Sequence, residues 1–265
     1  TLNPSSAASD VYKRQELMHP EDKPSFDKAL RNHLVYNAPF TVEVRIRSRD
    51  LSYRYFLVRG KAQRSKQGKP IRMAGSISDI TERKLAETRL RHNAYHDHLT
   101  DLPNRSFFMD ELTKVLFKAH ENPDYIFGVL LMDLDKFKLI NDNLGHVIGD
   151  KLLFEMGRRL ESCLRTNDIL ARIGGDEFGI IINNIRQAGD ATHLSARIKS
   201  EMSKPFMVDN KEIFLSSCMG IVFNNESHNS IESMVQDANT VLAQAKRKGQ
   251  GLSLIHISEP TRLGF

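Results

Sequence analysis

Two adjacent carboxylates follow a pair of glycines in the second half of the chain. The segment Gly174-Gly175-Asp176-Glu177 lies between two short apolar runs, residues 169–171 and 179–182. Because glycine tolerates positive φ and lets a ligand approach the main chain, this pattern predicts a hairpin turn. Carboxylates are hard ligands for Mg²⁺, so the turn is predicted to place a metal-bound phosphate against the main chain.

A second acidic segment lies upstream, at the end of another apolar run. It reads Leu130-Leu131-Met132-Asp133-Leu134-Asp135. Taken alone, an aspartate in either segment is equally well explained as a turn or cap residue. Two acidic segments that each adjoin an apolar run favour a shared metal site.

The composition is that of a soluble globular protein with one large domain or two small ones. The chain has 265 residues, of which 40% are apolar and 27% charged. Its net charge of +5 is spread along the sequence, which favours a solvated basic surface over a nucleic-acid groove. The longest apolar run, residues 126–134, is far short of the ~20 residues of a membrane helix. We therefore predict no membrane segment and no signal peptide, and we expect a cytoplasmic location.

The cysteines and histidines give no metal-binding pattern. Cys163 and Cys218 lack CxxC or Cys/His spacing, so they are predicted to pack in the core in a reducing compartment. His92, His96 and His98 would need a carboxylate or cysteine partner to bind a metal, and a polar helix face is the favoured interpretation.

The first part of the chain is predicted to form three strands and then a helix. Runs at 43–47, 53–59 and 71–77 alternate or are β-branched, and turn residues separate them, so they predict an antiparallel meander. Asp79 and Glu82 are spaced to cap a helix that contains no Gly or Pro. Its apolar spacing is too irregular for a coiled coil, and a short dimerising helix stays an alternative.

The second part alternates helices and strands. After a turn that opens at Asp97, the periodicity predicts a helix at 106–120, a strand at 126–134, a loop, a helix from Gly149, strands at 169–173 and 178–183, a helix at 187–203, a strand at 212–223 and a helix at 230–248. This order predicts an α+β domain with a central antiparallel sheet flanked by helices.

These residues also carry a family resemblance. From residue 95 to 251 the chain resembles the GGDEF family of diguanylate cyclases, and the match rests on Asp133-x-Asp135-x-Phe137-Lys138-x-x-Asn141-Asp142-x-x-Gly145-His146-x-x-Gly149-Asp150-x-x-Leu153 and Arg172-x-Gly174-Gly175-Asp176-Glu177-Phe178. The resemblance implies a palm-like nucleotidyl cyclase fold. It also implies that two GTP molecules condense to cyclic di-GMP with release of pyrophosphate, in a homodimer.

The segment before this domain is similar to the C-terminal part of a PAS sensor domain. Both chain ends, in contrast, resemble translated sequencing-adapter read-through. We therefore expect five segments: a non-native leader at 1–15, a partial PAS domain at 16–80, a helical linker at 81–96, a GGDEF domain at 97–251 and a non-native tail at 252–265. The tail replaces the last strand of the family, and neither end is expected to pack as an element.

The resemblance assigns the metal chemistry. Asp133, Asp176 and the Leu134 carbonyl are implied ligands of Mg²⁺, or of Mn²⁺, which would activate a ribose 3′-hydroxyl and neutralise the α-phosphate. Asp176 is the implied proton acceptor and Glu177 a supporting acid, although either acid could take the proton. Lys138 is implied to stabilise charge in the transition state.

The resemblance also assigns the GTP contacts. Phe137, Asn141, His146 and Asp150 are implied contacts of the nucleotide, and a buried Asp150 would accept from the guanine N1 and N2 donors that adenine lacks. The alternative for Asp150 is an acid stabilised by a helix N-terminus.

The phosphate and product contacts follow in the same way. Lys246 is implied to contact the triphosphate, whereas Gln250 stands where the family has a cation, which weakens GTP binding. Arg165 and Asp168 match the family's product-inhibition site for cyclic di-GMP, and a helix-end salt bridge is the alternative.

Two other functions stay open from the sequence. The first is a catalytically weak GGDEF module that binds GTP or cyclic di-GMP and regulates a neighbouring domain, such as a phosphodiesterase. The second is a palm-like nucleotidyl transferase that acts on nucleic acid, but the chain shows no basic template groove.

Overall fold

A computed structural model describes residues 17–185, 188–224, 228, 230–249 and 253–256. The predicted leader at 1–15 and Gln250 lie outside the described residues. The chain divides into two compact units, residues 1–91 and 92–265, and we describe each by itself.

The first unit is a three-stranded antiparallel sheet with one helix. After a 3-10 turn at Pro20–Asp22 come helix α1 and the strands, in the sheet order β1-β2-β3: α1 is Lys23–Tyr36, β1 Phe40–Arg47, β2 Tyr53–Arg64 and β3 Pro70–Asp79. The predicted antiparallel meander is present, and α1 is an element that the sequence analysis did not predict. Helix α2, Thr81–Tyr95, begins in this unit and contains the boundary between the two units.

Burial in the first unit is uneven. Phe40 and Val44 on β1 and Ala62 on β2 are buried. His33 on α1 is buried as well, and its Nε2 accepts from the Ala62 N–H at 2.8 Å. Strand β3, in contrast, is exposed along its whole length. The core of this unit therefore lies between α1 and the first two strands.

The second unit is built around a five-stranded sheet in the order β10-β9-β4-β6-β5. Its elements are α3 Arg105–Glu121, β4 Gly128–Leu134, α4 Phe137–Leu144, α5 His146–Ser162, β5 Ile169–Gly174, β6 Glu177–Ile182, α6 Ala188–Met202, β7 Phe206–Val208, β8 Lys211–Ile213, β9 Ser217–Phe223, α7 Ile231–Lys248 and β10 Ser253–His256. Strand β4 is antiparallel to both β6 and β9, so the predicted α+β fold with a central antiparallel sheet is confirmed.

Strand β4 is buried along its whole length because both faces of the sheet are covered. Leu130 and Met132 belong to the core formed with α5 and α6. Val129 and Leu131 belong to the core formed with α3 and α7. Successive side chains of a strand point to opposite faces, so Asp133, which follows in the same alternation, lies on the α3/α7 face.

Three predictions about elements need correction. The predicted loop after β4 contains helix α4, and the next helix begins at His146 rather than Gly149. The turn-forming residues Asn141 and Asp142 hid α4 in the sequence pattern. The predicted strand at 212–223 is two strands, β8 and β9, which pair with different partners.

The expectation that the tail packs as no element is wrong for residues 253–256. These residues form β10, which pairs in parallel with β9 from Ser253 opposite Met219 to His256 opposite Val222. The free edge of β9 offers unpaired main-chain groups to an extended segment. The rest of the tail lies outside the described residues.

Candidate functional site

The two glycines and two acids form the turn between β5 and β6. Gly175 has a φ of 54°, a left-handed conformation that favours glycine. A Cβ at Gly174 or Gly175 would have no other atom within 4 Å, so the turn is open to a ligand. Asp176 is half-buried and Glu177 is exposed. The sequence therefore predicted the hairpin correctly.

Arg172 fastens this turn, a contact that the sequence analysis missed. Its Nε and Nη2 donate to the Gly175 carbonyl oxygen at 3.0 and 2.8 Å, and its Nη1 donates to Asp97 Oδ1 at 2.8 Å. Burial opposes ionisation of Asp97, yet hydrogen bonds from Arg172 and Thr100 hold the pKa of its carboxyl below the ordinary value. The available signal was an arginine two residues before the glycines.

The register of the sheet brings Asp133 beside the turn. Asp133, the buried acid near the end of β4, lies opposite Glu177 on β6 and opposite Cys218 on β9. Lys246 on α7 places its Nζ 2.6 Å from Asp133 Oδ2. Burial raises the pKa of Asp133, the Lys246 ammonium opposes this rise, and the charges of Asp176 and Asp135 add to it.

The main chain at the end of β4 is fixed as well. The Asp135 N–H donates to the Ser216 carbonyl oxygen at 2.9 Å, on the β9 side of β4. A trans peptide points its C=O opposite to its N–H, and none of the described peptide bonds is cis. The Leu134 carbonyl therefore points toward the β6 side, where the turn lies.

The donor set at this place fits a divalent cation. Among the residues that the structure describes, no three His, Cys, Asp or Glu side chains are grouped to hold a metal ion. The ligands implied by the family resemblance are two carboxylates, Asp133 and Asp176, and the Leu134 carbonyl, all hard oxygen ligands of the kind Mg²⁺ binds together with water or phosphate. The negative charges of Asp176 and Asp135 raise the pKa of Asp133. A bound cation would offset this repulsion between the carboxylates.

The predicted base-binding residues lie on α4 and α5. Asn141 Oδ1 is buried and has no hydrogen-bond partner in the described structure. A Cβ at Gly149 would lie 1.8 Å from this atom, so only glycine lets the two helices approach here. Phe137 is buried nearby and would lie 3.2 Å from the same Cβ. Asn141 Oδ1 is therefore a buried acceptor that has no donor among the described residues.

His146 and Asp150 are both exposed. The expectation of a buried Asp150 is therefore wrong, because Asp150 lies on the solvent-facing side of α5 and not on the side that faces the core. Asp150 lines an open cleft of about 500 Å³ together with Leu99 and Phe154. The buried polar atom of this region is Asn141 Oδ1 instead.

Two cations were predicted to contact phosphates. Lys138 is exposed in the first turn of α4, where helical N–H groups have no intrahelical acceptor and favour an anion. Lys246 is engaged with Asp133.

The predicted product-binding residues lie at the opposite end of β5 from the turn. Arg165 and Asp168 line a cavity of about 730 Å³. Asp168 accepts from the main-chain N–H of Arg165 at 3.1 Å and of Asn183 at 3.2 Å. The Arg165 side chain is exposed and lies 3.5 Å from Asp190. The alternative of a helix-end salt bridge between Arg165 and Asp168 is therefore not what the described residues form.

His92, one of the three histidines considered as metal ligands, makes two side-chain contacts. His92 Nε2 lies 2.8 Å from Asp101 Oδ1, and its ring stacks on His96 at 4.1 Å. The His92 ring thus contacts an acid and a second histidine. Within the described parts of the chain, no helix has both the length and the apolarity needed to cross a bilayer.

Comparisons with known proteins identify both regions. The family described as diguanylate cyclase, GGDEF domain, matches residues 94–251, and the PAS fold family matches residues 3–77. The cyclic di-GMP phosphodiesterase PdeR of Escherichia coli is 36% identical over 213 residues, which are 80% of this chain and 32% of that protein. The diguanylate cyclase TpbB of Pseudomonas aeruginosa is 36% identical over 163 residues, which are 61% of this chain and 37% of that protein. The chain thus spans about a third of the length of these relatives.

Solved structures agree with the family matches. The GGDEF domain of TpbB from Pseudomonas aeruginosa aligns with a TM-score of 0.57 and 34% identity over 59% of this chain and 97% of that chain. The GGDEF domain of DgcB from Caulobacter crescentus, solved in complex with c-di-GMP, aligns with a TM-score of 0.57 and 27% identity over 61% of this chain and 95% of that chain.

Proposed function

Because the chain belongs to the diguanylate cyclase GGDEF domain family, we propose that it condenses two GTP molecules into cyclic di-GMP with release of pyrophosphate. The observation that carries this proposal is the convergence of Asp133, on a buried strand, with Asp176, in the glycine turn. Asp176 lies in a hairpin turn whose glycines are open to a ligand.

Asp133, Asp176 and the Leu134 carbonyl would hold Mg²⁺, and Mn²⁺ suits the same oxygen ligands. When bound, the cation neutralises the α-phosphate and lowers the pKa of the ribose 3′-hydroxyl. Asp176 then accepts the hydroxyl proton, with Glu177 as a supporting acid. Lys246 moves from Asp133 to the triphosphate, and Lys138 offsets the charge that develops on the transferred phosphoryl group.

The residues assigned to the nucleotide base form what we call the base end of the site, and they select guanine: Phe137, Asn141, His146 and Asp150. Asn141 Oδ1 gains the donor that it lacks when a purine amino or imino group enters. Asp150, which faces the open cleft, accepts from guanine N1–H and N2–H, donors that adenine in the same pose does not present. Phe137 and His146 flank the nucleotide.

Turnover requires two copies of the chain. Each copy holds one GTP, and the two 3′-hydroxyls attack reciprocally across a two-fold axis, so the active form is a homodimer. Arg165 and Asp168 bind the cyclic di-GMP product and inhibit the enzyme, and the cavity beside them has room for a ligand. The complex of the DgcB domain with c-di-GMP supports this family ligand. The PAS segment controls the activity.

A second function has specific support. PdeR, which aligns over 80% of this chain, is named as a phosphodiesterase rather than a cyclase, and Gln250 replaces a phosphate-binding cation. The alternative is therefore a GGDEF module that binds GTP or cyclic di-GMP and regulates a neighbouring domain.

Pyrophosphate release from GTP separates these functions. The full chain is incubated at high concentration with Mg²⁺ and GTP, with Asp133→Asn as the inactive control. We expect release by the wild type alone. GTP binding without any pyrophosphate release would support the regulatory module.

A further inference from the structure

A buried thiol lies beside Asp133, one of the three proposed metal ligands. We call these ligands, Asp133, Asp176 and the Leu134 carbonyl, the metal end of the site. Cys218 on β9 is completely buried and lies directly opposite Asp133. Its Sγ is 3.3 Å from Asp135 Oδ1 and 3.5 Å from the Gly249 carbonyl oxygen. The thiol thus touches both the acidic strand end and the end of α7.

Asp135 is the residue whose main chain orients the Leu134 carbonyl. Its N–H donates to the Ser216 carbonyl oxygen at 2.9 Å, and its other carboxylate oxygen accepts from the Ser216 hydroxyl at 2.6 Å. Ser216 and Cys218 therefore hold the two carboxylate oxygens from the same strand end. Hydrogen bonds to both carboxylate oxygens fix the Asp135 side chain. They thereby limit movement of the Asp135 main chain, which sets the direction of the Leu134 carbonyl.

Gly249 caps the helix that carries Lys246. The Gly249 N–H donates to the Ala245 carbonyl oxygen, and the residue has a φ of 140°. Because a thiol has a single proton, Cys218 donates to one of these two oxygens at a time and its sulfur packs against the other. Cys218 thus contacts the end of α7, one turn beyond Lys246, from the strand that lies opposite Asp133.

We propose that Cys218 is a positioning residue for the metal end of the site. Its thiol holds the Asp135 carboxylate, and through it the Leu134 carbonyl, in register with the end of α7 and Lys246. This inference rests on the proposed function, because it assigns Leu134 and Lys246 to the metal and the triphosphate. The thiol takes no part in the chemistry.

Four variants of the full chain test this role. Cys218→Ala removes the thiol, Cys218→Ser restores a hydroxyl donor, and Cys218→Val fills the space without any donor. Cys163→Ala is the matched control, because Cys163 is also buried but donates to the Arg159 carbonyl within α5. The readouts are the Mg²⁺ concentration for half-maximal binding of a non-hydrolysable GTP analogue, by calorimetry, and the denaturation midpoint.

We expect Cys218→Ala and Cys218→Val to raise the half-saturating Mg²⁺ concentration about threefold to tenfold, because the lost hydrogen bond comes from a thiol, which is a weak donor. Cys218→Ser should stay within about twofold of the wild type, as should Cys163→Ala. If Cys218→Ala fails to fold, comparison of the serine and valine variants still shows whether the hydrogen-bond donor at position 218 affects Mg²⁺ binding. Equal Mg²⁺ dependence of these two would overturn the inference.

Pyrophosphate release by the wild type is measured in parallel. A wild type that binds the analogue with Mg²⁺ but releases no pyrophosphate contradicts the proposed turnover, while the variants still test the role of Cys218. A wild type whose analogue binding ignores Mg²⁺ overturns both.

Discussion

The two ends of the candidate site are built differently. At the metal end, Asp133 pairs with Lys246, and Asp135 accepts from Ser216 and Cys218. At the base end, Asn141 Oδ1 is buried without a partner in the described structure. Contacts within the protein thus hold the metal end, whereas the base end contains a buried acceptor without a donor among the described residues.

The difference follows from the elements that carry each end. Hydrogen-bonded strands fix the positions of Asp133 and the glycine turn, and Arg172 adds a side-chain fastening to that turn. The base end depends instead on α4, a helix of 8 residues, and on its approach to α5 at Gly149. In the proposed function, the sheet therefore supplies the catalytic residues, and the two helices that touch at a glycine supply the residues that select the substrate.

The largest effect is expected when a carboxylate is removed from the metal end. Asp133→Asn should lower the rate of pyrophosphate release by about a thousandfold, because the cation loses a charged ligand. Affinity for the guanine base should change much less, since the base end is separate. Rate and nucleotide affinity are measured together, with the exposed Asp110→Asn as control. Equal losses in both quantities would break the division between the two ends.

The base end should be most sensitive at Gly149. In Gly149→Ala the new Cβ meets Asn141 Oδ1 at 1.8 Å, so Asn141 must move and GTP affinity should fall about tenfold, with about 1–3 kcal/mol lost in the free energy of unfolding. Calorimetry and urea unfolding check both values.

Gly189→Ala is the matched control for this substitution. Gly189 is also helical, but its Cβ would meet no atom closer than 3.8 Å. Alanine there should be neutral or stabilising by about 0.5–1 kcal/mol. A Gly149→Ala protein that behaves like this control would contradict the role of the helix contact.

A substitution at Asp150 tests whether this residue contacts the guanine base. Asp150→Asn should reduce the preference for GTP over ATP about tenfold, because an amide presents a donor where guanine also has donors. Competition binding with the two nucleotides gives this ratio. Parallel weakening of both nucleotides would contradict the assignment of Asp150 to the guanine edge.

The smallest effect concerns the fastening of the turn. The pKa of Asp97 is lowered in the folded state, so its stabilisation is fully present above the unfolded carboxyl pKa of about 4 and is lost as the pH falls through the folded value. Asp97→Asn should cost about 1 kcal/mol in the free energy of unfolding at pH 7. Urea titrations should show this cost shrinking toward pH 3, and a cost independent of pH would contradict the ion pair with Arg172.

The sequence predicted the sheet, with Asp133 beside the glycine turn, more fully than it predicted the helices that carry Asn141 and Asp150. Apolar runs locate buried strands such as β4, and acids at their ends are visible directly, so Asp133 and Asp176 were found as a pair. Helix α4 was missed because Asn141 and Asp142 carry a turn signal that tertiary packing overrides. The exposure of Asp150 was also missed, because neither burial nor cleft walls can be read from local periodicity.

Contacts between residues distant in sequence were the hardest to predict. The fastening of the turn joins Asp97 to Arg172, and the contact of Cys218 with Asp135 depends on strand register. Neither leaves a local pattern. Strand β10 was missed for a related reason, since the open edge of β9 becomes apparent only once the sheet is assembled.

The most direct test of the account is the product made from GTP. The full chain is incubated with Mg²⁺ and GTP over a range of protein concentrations, and cyclic di-GMP and pyrophosphate are both quantified by mass spectrometry and phosphate assay. The account predicts two pyrophosphates for each cyclic di-GMP, with a specific activity that rises with protein concentration because two copies must meet. GTP that binds and stays intact at every concentration would contradict it.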